Sequence, residues 1–449
     1  MAGEWTRHDV RTLIDDGGLI IGDGYRAKNE ELASSGLPFV RAGNINNGFR
    51  FESADRFPEA SLPKVGNKIS EHGDVVFTSK GTVGRFAFVR PGTPRFVYSP
   101  QLCFWRSVDK ALIDPRFLYF WMHGREFSVQ FKGVAGQTDM AEYVSLSDQR
   151  RMHITLPPLP EQRAIAYILG TLDDKIELNR RMNETLEQMA SALFKSWFLD
   201  FEPVRAKMDG RWRRGKSLPG LPAHLYDLFP NRLVNSELGE IPAGWEVKPI
   251  GDLAEILGGS TPRTTRPEYW DGGTHYWATP KDLSGLSTPV LLDTERKITD
   301  AGLAQISSGL LPTGTVLLSS RAPIGYLAIT EVPVAVNQGF IAMKPRTEIS
   351  NLFLLHWTNA AHDEILSHAN GSTFLEISKA NFRPIPAVVP PPAVMSVFDH
   401  LARPVYLKVV ECERESGTLA ALHDTLLPKL ISGEMRVSDA ERFVKEARE

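Results

Sequence analysis

The sequence has little cysteine and no long apolar run. Cys103 and Cys412 are the only cysteines among 449 residues, too few for a disulfide framework or a cysteine-rich metal site, which fits a reducing compartment. The opening MAGEWTRHDVRTL lacks the apolar core of a signal peptide, and no apolar run approaches the roughly 20 residues of a membrane span. We therefore expect a soluble, cytoplasmic protein.

An excess of charge of one sign is also missing. The 51 basic and 54 acidic residues give a net charge of −3, which excludes a histone-like wrapper but leaves room for a local basic groove that binds nucleic acid. Hydrophobic residues make up 42% and charged residues 23%, so the chain can bury ordinary globular cores. At about 150 residues per domain, the length allows roughly two to four domains.

Two segments of similar sequence indicate a tandem duplication. GDVVFTSKGTVGRFAFV begins at Gly73 and GTVLLSSRAPIGYLAIT at Gly314, and both alternate as a strand, a turn and a second strand. PFVRAGNI corresponds to YWATPKDL upstream, and YSPQLCFW corresponds to VNQGFIAM downstream. Because these matches keep the same order, the sequence predicts two copies of one domain.

Each copy ends in a proline-rich stop, residues 156–163 and 389–396, followed by a heptad pattern. The pattern predicts a long helix from about residue 161 to 198, a second one after residue 396, and packing of the two on each other. The first seam is Ile165, Leu169, Leu172, Ile176, Asn179, Asn183, Leu186, Ala190, Leu193 and Trp197. The second seam is Phe398, Ala402, Val405, Val409, Cys412, Ser416, Leu419, His423, Leu426 and Leu430.

The polar seam residues Asn179 and Asn183 have two interpretations. They could lie at a wet edge of the helix pair, or they could fix the register between the helices, as buried asparagines do in coiled coils. The sequence leaves both open.

The segment from residue 203 to 240 is rich in proline, glycine and basic residues, which favours a linker laid over a surface. A charge run of this kind is usually solvated, and contact with nucleic acid or an acidic partner is the alternative. The basic residues are Arg205, Lys207, Arg211, Arg213, Arg214 and Lys216, with Asp209 as the acid among them.

Within this segment, GRWRRGKS from Gly210 to Ser217 matches the phosphate-loop pattern literally. That chemistry needs a preceding buried strand and a helix opening at the Lys-Ser pair, whereas Pro203 interrupts the segment before it and Pro219 follows at once. We therefore reject a nucleotide site. The histidines are scattered without a third metal ligand, and no Asn/Asp-Pro-Pro-aromatic motif is present to hold a flipped base. The chain is predicted to be a binder rather than a catalyst.

Three stretches then resemble a known family. LPPLPEQRAIAYILGTLDDKIELNRRMNETLEQMASALFKSWFLDFEPVRAKMDG, residues 156–210, resembles the central region of specificity subunits of type I restriction–modification enzymes. LGEIPAGWEVKPIGDLAEILGGSTPR, residues 238–263, is similar to the start of a second target-recognition domain, and LHDTLLPKLISGEMRV, residues 422–437, to the family's C-terminal end. The resemblance spans the chain, but the second proline block lacks the Pro-Glu-Gln of the first.

The resemblance implies an α+β fold, with two tandem α/β target-recognition domains separated by two long helices that form an antiparallel coiled coil. The implied domain order is recognition domain 1 at 1–155, a central helix at 156–202, a basic linker at 203–240, recognition domain 2 at 241–388, a C-terminal helix at 389–436 and a tail at 437–449.

The resemblance also implies the function. Such a subunit is not an enzyme: each recognition domain reads one half of a bipartite double-stranded DNA site, and the helices set the unread spacer. Two modification subunits bind S-adenosylmethionine and methylate adenine, and two restriction subunits use ATP and magnesium for translocation and cleavage. No cofactor or metal is expected on this chain, and its place is the cytoplasm of a bacterium or archaeon.

Polar loop residues are the candidates for DNA contact, since arginine pairs with guanine, asparagine and glutamine pair with adenine, and small polar or basic side chains bind phosphates. In the first domain they are Arg41, Asn44, Asn46, Asn47, Ser79, Lys80, Arg85, Gln101, Gln137 and Thr138. In the second they are Thr279, Lys281, Asp282, Ser319, Ser320, Arg321, Asn337, Gln338, Ser372 and Thr373. Any one of them could be an ordinary solvated turn residue. The nearby aromatics Tyr269, Trp270, Tyr276 and Trp277 are interpreted as core rather than base-stacking residues.

Two other classes of protein remain as alternatives. A solitary nuclease or NTPase built around residues 210–217 would bind nucleotide as the isolated chain. A repurposed interaction protein would keep the architecture and have lost the DNA.

Overall fold

A computed structural model describes residues 4–45, 48–80, 83–135, 144–371 and 375–446. The strands are β1 Thr6–Asp9, β2 Leu19–Asp23, β3 Leu37–Val40, β4 Asp55–Phe57, β5 Val75–Thr78, β6 Phe86–Phe88, β7 Val97–Tyr98, β8 Leu102–Ser107, β9 His153–Leu156, β10 Leu233–Ser236, β11 Gly239–Pro242, β12 Glu246–Pro249, β13 Ala254–Leu257, β14 His275–Ala278, β15 Val290–Leu291, β16 Arg296–Ile298, β17 Val316–Ser320, β18 Ile324–Thr330, β19 Val334–Val336, β20 Phe340–Pro345 and β21 Pro386–Val389.

The α-helices are α1 Val10–Asp15, α2 Pro115–His123, α3 Arg125–Ala135, α4 Leu146–Gln149, α5 Leu159–Phe194, α6 Glu202–Met208, α7 Ile250–Leu253, α8 Pro280–Ser284, α9 Asp300–Leu303, α10 Asn351–Ala360, α11 His362–Ser367, α12 Lys379–Phe382, α13 Pro392–Ile431 and α14 Val437–Glu446. The chain forms two compact units. The first unit is residues 1–176 with 418–449, and the second unit is residues 177–417.

The first unit is built on three small sheets. Its main sheet has the strand order β2-β8-β5-β6 and is antiparallel throughout. A second sheet has the order β4-β3-β7, in which β3 and β7 are parallel. The first and last strands of the domain, β1 and β9, pair with each other and form the third sheet. The apolar residues of β5 and β8 are buried on both faces, which explains their unbroken hydrophobic sequence.

The second unit repeats this plan. Its main sheet has the order β13-β20-β17-β18-β15, its second sheet the order β16-β14-β19, and β12 pairs with β21 where the domain closes. The added elements are the edge strand β15 and the hairpin β10–β11.

The predicted duplication is confirmed down to single hydrogen bonds. The amide of Ser79 donates to the carbonyl of Gln101 at 2.9 Å, and the amide of the matching Ser320 donates to the carbonyl of Gly339 at 2.8 Å. One residue earlier in each copy, the hydroxyls of Thr78 and Ser319 accept from amides across the following turn, at 3.0 and 2.8 Å. The alignment made from sequence therefore holds residue by residue at this point of the fold.

The two long helices are present, and the seam faces inward. The first helix begins two residues earlier than predicted, at Leu159, and after Phe194 it continues as a π-helical turn, Lys195–Leu199. Each unit contains one part of α5 and one part of α13. The buried seam residues of the first unit are Ile165, Leu169, Leu172, Leu419, Leu426 and Leu430, with Ile176 partly buried. In the second unit Val409 is buried, and Leu186, Leu193 and Val405 are partly buried.

The two helix starts are anchored differently, which explains why only the first carries Pro-Glu-Gln. The buried side chain of Gln162 accepts from the amide of Asp114 at 2.9 Å and donates to the carbonyls of Leu112 and Pro157 at 3.0 and 2.9 Å. Met395 takes this place in the second copy and cannot make these bonds. There Arg403 ties the helix to the domain instead, through Asn351 at 2.7 Å.

Asn179 and Asn183 are fully buried within the second unit, so the wet-edge interpretation is wrong. The amide of Asn179 donates to Ser416 Oγ at 3.2 Å, and the amide of Asn183 donates to Glu413 Oε1 at 2.7 Å. Because the partner number falls as the asparagine number rises, the two helix parts run antiparallel here. A slip of the helices would leave these buried amides unpaired, which favours the interpretation that they fix the register.

Glu187, one turn after Asn183, gives a pH-dependent prediction. Partial burial, then the carboxylates of Glu413 and Glu184, raise the pKa of Glu187 from its ordinary value near 4.5 to about 7. Below pH 4.5 both states hold the proton and nothing is lost; between 4.5 and 7 only the folded state holds it, so stability falls as pH rises. Glu187→Gln is therefore expected to raise stability at pH 8 by about 1–2 kcal/mol after solvent screening, and hardly at pH 5.

Thermal unfolding at the two pH values measures this difference. Glu411→Gln is the matched control, since Glu411 is exposed on α13 in the same unit and pairs with Lys408. An equal gain at pH 5 and pH 8 would contradict the prediction, because it would show that the charge of Glu187 has no part in the effect.

The segment 203–240 is more firmly built than a linker over a surface. Trp212 is 1% exposed and belongs to the core of the second unit together with Leu221, Leu225 and Phe229. The ammonium of Lys207 lies 3.9 Å from the ring centroid of Tyr226, and Arg211 and Arg214 form ion pairs with nearby acids. The basic run is therefore a folded, exposed surface of the second unit. Burial of the apolar side chain of Trp212 stabilises it, although the residues around it in sequence are mostly polar.

Candidate nucleic-acid interface

In the first unit, three loops with candidate residues meet at one edge of the sheets. The amide of Ala42 donates to Gln101 Oε1 at 3.4 Å, and Arg85 Nη1 donates to the carbonyl of Ile45 at 3.4 Å. The topology requires this meeting. β5 ends where β8 begins, at the pair Thr78–Leu102, and the parallel strands β3 and β7 end side by side. We name this edge, formed by residues 41–45, 79–80, 83–85 and 99–101, the first reading edge.

The second unit forms the equivalent edge. The amide of Asn337 donates to the carbonyl of Ala278 at 3.0 Å, which joins the turn after β19 to the end of β14. The amide of Ser320 donates to the carbonyl of Gly339 at 2.8 Å, and Thr261 Oγ1 donates to Gln338 Oε1 at 2.7 Å. We name this edge, formed by residues 279–282, 319–321 and 337–339, the second reading edge.

Some candidates are exposed at these edges and have hydrogen-bonding capacity to offer a ligand. Arg41 is about half exposed and pairs with the equally exposed Asp55 at 2.7 Å. Lys281 pairs with Glu295, and Arg321 lies 3.9 Å from Glu376, in equally open surroundings. Exposed pairs of this kind contribute about 0–1 kcal/mol, so a phosphate can replace the carboxylate at little cost. The remaining exposed or half-exposed candidates are Lys80, Arg85, Gln101, Thr279, Asn337 and Gln338.

Other candidates are buried, and for them the expectation of DNA contact is revised. Ser79, Ser319 and Ser320 are at most 3% exposed, and the hydroxyl of Ser319 bonds Pro323 and Tyr326 within its own turn. Asn44 is 7% exposed, and its Oδ1 accepts from the amide of Arg41 at 2.9 Å.

Asp282 is similarly occupied by its own loop. It accepts from the amide and hydroxyl of Thr279 and from the amide of Glu295, each at 2.7 Å. Asn44 and Asp282 thus cap the same short helical turn in the two copies and use all or part of their acceptor capacity there. These side chains bond within their own loops, and their expected contact with DNA stays a prediction.

Six of the candidate residues lie in parts of the chain that the structure does not describe. Asn46, Asn47, Gln137, Thr138, Ser372 and Thr373 lie outside the described residues. Their expected contact with DNA stays a prediction.

The aromatic residues of the second unit are packed rather than open. Trp277 is 3% exposed and meets Trp270 edge to face, with ring centroids 5.0 Å apart. The guanidinium of Arg296 lies 3.5 Å from the centroid of Trp270, and the ammonium of Lys297 lies 4.4 Å from that of Tyr276. Because cations cover these rings, the rings are not free to stack on a base, as expected from sequence.

The phosphate-loop match fails on geometry. The segment 210–217 follows the helix α6 instead of a buried strand, and its Trp212 points into the core. No α-helix opens at Lys216–Ser217; the next element is the short 3-10 turn Ala223–Leu228. Among the described residues no cluster of three or more histidine, cysteine or acidic side chains could hold a metal ion. No helix in the described ranges is long and apolar enough to span a membrane.

Residues that the sequence pattern missed lie beside both edges. Arg26 and Lys28 follow β2, and Thr261, Arg263 and Arg266 follow β13; all are exposed. The signal for them was a glycine just after the first strand of each main sheet: Gly24 directly follows β2, and Gly259 lies two residues after β13.

The fold defines a duplicated protein in which each unit presents one edge of exposed polar side chains. A family described as the type I restriction modification DNA specificity domain has a model that matches residues 18–188 and 242–394. These ranges contain both main sheets and both reading edges. The chain therefore belongs to the family of type I restriction–modification specificity subunits, which recognise DNA.

Individual relatives agree with this assignment. The type I restriction enzyme HindI specificity subunit of Haemophilus influenzae is 26% identical over 435 residues, which cover 88% of this chain and 94% of the relative. The MjaIX specificity subunit of Methanocaldococcus jannaschii is 38% identical over 175 residues, 37% of this chain and 40% of the relative. The crystal structure of the S subunit of a type I restriction–modification system from M. genitalium superposes with a TM-score of 0.60 at 15% identity, over 95% of this chain and 96% of that one, which shows a shared fold.

Proposed function

We propose that this chain is the non-catalytic recognition subunit of a type I restriction–modification complex and that each α/β domain reads one half of a bipartite, asymmetric double-stranded DNA site. The observation that carries the proposal is the repeated reading edge: the same strand ends in both domains place exposed polar side chains at one edge of the sheets. Two similar readers with different side chains suit two different half-sites.

The exposed side chains divide by their chemistry. Arg85 and Arg321 can donate in bidentate fashion to guanine, and Gln101, Asn337 and Gln338 can pair with adenine. Arg41, Lys80 and Lys281 suit phosphates, which fix position without reading sequence. The differing side chains at matching points explain how one duplicated plan can read an asymmetric site.

The two long helices carry the rest of the proposal. We propose that they set the length of the unread spacer and that their outer faces, with the recognition domains, dock two modification subunits, to which two restriction subunits are added. S-adenosylmethionine then belongs to the modification subunits, and ATP and magnesium to the restriction subunits. The complex acts in the cytoplasm of a bacterium or archaeon.

Co-expression with an adenine methyltransferase of the type I modification family from the same genome tests the proposal. We expect native mass spectrometry to show one copy of this chain with two modification subunits. We also expect methylome sequencing of the expressing cells to show methylation at one bipartite sequence. A stable chain that ignores the methyltransferase would contradict the assignment of partners. Binding of ATP by the isolated chain would instead favour the nucleotide-dependent enzyme that residues 210–217 first suggested.

A further inference from the structure

Each main sheet continues from its first strand into a short segment that crosses the reading edge. We name residues 24–28 the first arm and residues 259–266 the second arm. In the first arm the amide of Tyr25 donates to the carbonyl of Tyr98 at 2.7 Å. In the second arm the amide of Ser260 donates to the carbonyl of Val336 at 3.1 Å, the equivalent bond. Both arms are thus fixed to the strand that leads into the loop of Gln101 or of Asn337 and Gln338.

The approach of each arm is close enough to require glycine. A Cβ atom on Gly24 would lie 1.9 Å from the carbonyl oxygen of Ser99, and one on Gly259 would lie 1.6 Å from that of Val336. Both contacts are with backbone, which cannot move aside without breaking the sheet edge. The position of the arms is therefore set by the fold in both copies.

The basic side chains of the arms are open to solvent. Arg26 and Arg263 form no ion pair or side-chain hydrogen bond within the part of the chain that the structure describes. Lys28 and Arg266 pair with the exposed acids Glu30 and Glu268, at 3.8 and 3.1 Å, and the backbone amide of Lys28 donates to Glu31. In the second arm the indole of Trp270 donates to the carbonyl of Arg263 at 3.2 Å and holds the backbone at that residue. Each arm thus presents two cations from an anchored backbone beside a reading edge.

We propose that the arms bind the DNA phosphate backbone next to each half-site, through Arg26 and Lys28 in the first domain and Arg263 and Arg266 in the second. This inference rests on the proposed DNA recognition and adds contacts that position the duplex without reading its sequence. Arginine and lysine are the side chains that most often contact phosphates, and each such contact releases counterions when DNA binds.

The test measures DNA affinity of the assembled methyltransferase complex at several salt concentrations, on a cognate and an unrelated duplex. The variants are the double substitutions Arg26→Gln with Lys28→Gln, and Arg263→Gln with Arg266→Gln. Each phosphate contact makes the slope of log K against log salt more negative by about 0.9. Each double variant should therefore reduce the magnitude of this slope by about 1–2. Affinity should fall on both duplexes alike, and the methylated sequence should stay unchanged.

Two single substitutions serve as controls for loss of charge. Lys110 follows β8 and Arg346 follows β20, so both are exposed at the end of the main sheet opposite its reading edge. Lys110→Gln and Arg346→Gln should leave the slope unchanged. Arg263→Lys with Arg266→Lys should keep the slope of the parent, because the charges remain.

The outcomes separate this inference from the function on which it rests. A parent complex that binds no specific DNA contradicts the proposed function. If the parent complex binds specific DNA and the arm variants keep its salt slope, the proposal that the arms bind phosphates is overturned, whereas the proposed function stands. A changed methylated sequence in an arm variant would also overturn the proposal, because it would mean that the arms read bases. Variants that still assemble with the methyltransferase show that a lowered slope is not caused by unfolding.

Discussion

Exchange of the second recognition domain for that of a relative is expected to change one half of the methylated sequence completely and to leave the other half untouched. Each unit has its own sheets, its own apolar core and its own reading edge, so the side chains of one edge do not depend on the other for their positions. The exchange should cover residues 241–389, because β21 ends at Val389 and closes the domain by pairing with β12. Methylome sequencing of cells with the exchanged chain measures the result.

The reciprocal exchange of the first domain is the matched control. β9 ends at Leu156 and pairs with β1, so residues 1–156 form the fragment to be exchanged. This exchange should change the other half of the methylated sequence. If either exchange alters both halves, the domains do not read independently and the modular part of the proposal fails.

Substitution of Asp74 by asparagine is expected to destabilise the first unit by about 2–4 kcal/mol, because it leaves the buried Arg106 with Glu71, whose side chain is largely exposed, as its remaining counter-charge. Asp74 directly precedes β5 and is wholly buried, and its Oδ1 accepts from Arg106 Nε at 2.6 Å. Its Oδ2 accepts from Arg106 Nη2 at 2.8 Å and from the amide of Glu71, also at 2.8 Å. The second unit has Thr315 at the matching position, so this network belongs to the first unit alone.

Hydrogen exchange resolved by mass spectrometry can measure this loss within one unit of the assembled chain. Peptides from β5 and β8 should exchange faster in the Asp74→Asn variant, while peptides from β17 and β20 keep their protection. Asp23→Asn is the control, because Asp23 makes a half-exposed pair with Lys68 at 2.9 Å and its loss should cost about 0–1 kcal/mol. Equal effects of the two substitutions would show that burial of the pair adds nothing.

The sequence determined the architecture because architecture follows from apolar periodicity and local chemistry. The strand–turn–strand patterns from Gly73 and Gly314 predicted the matching sheets, and the alternating three- and four-residue spacing predicted α5 and α13 with their seams. Both signals are local, so they can be recognised without knowing what lies nearby. The same holds for the loops of the reading edges, whose polar residues directly follow buried strands.

What each polar residue does was decided only by the tertiary structure. Asn44 and Asp282 are residue types that can contact DNA bases, but all or part of their hydrogen-bonding capacity is used to cap the turns in which they lie. Trp212 converts a proline- and glycine-rich stretch into part of a core, because burial of one large aromatic ring depends on neighbours distant in sequence. Arg26 and Arg263 come beside the reading edges through contacts more than 70 residues apart along the chain, between Tyr25 and Tyr98 and between Ser260 and Val336. Sequence patterns report composition and period, whereas burial and hydrogen-bond partners depend on long-range packing, so the choice between a structural and a DNA-contacting role belongs to the fold.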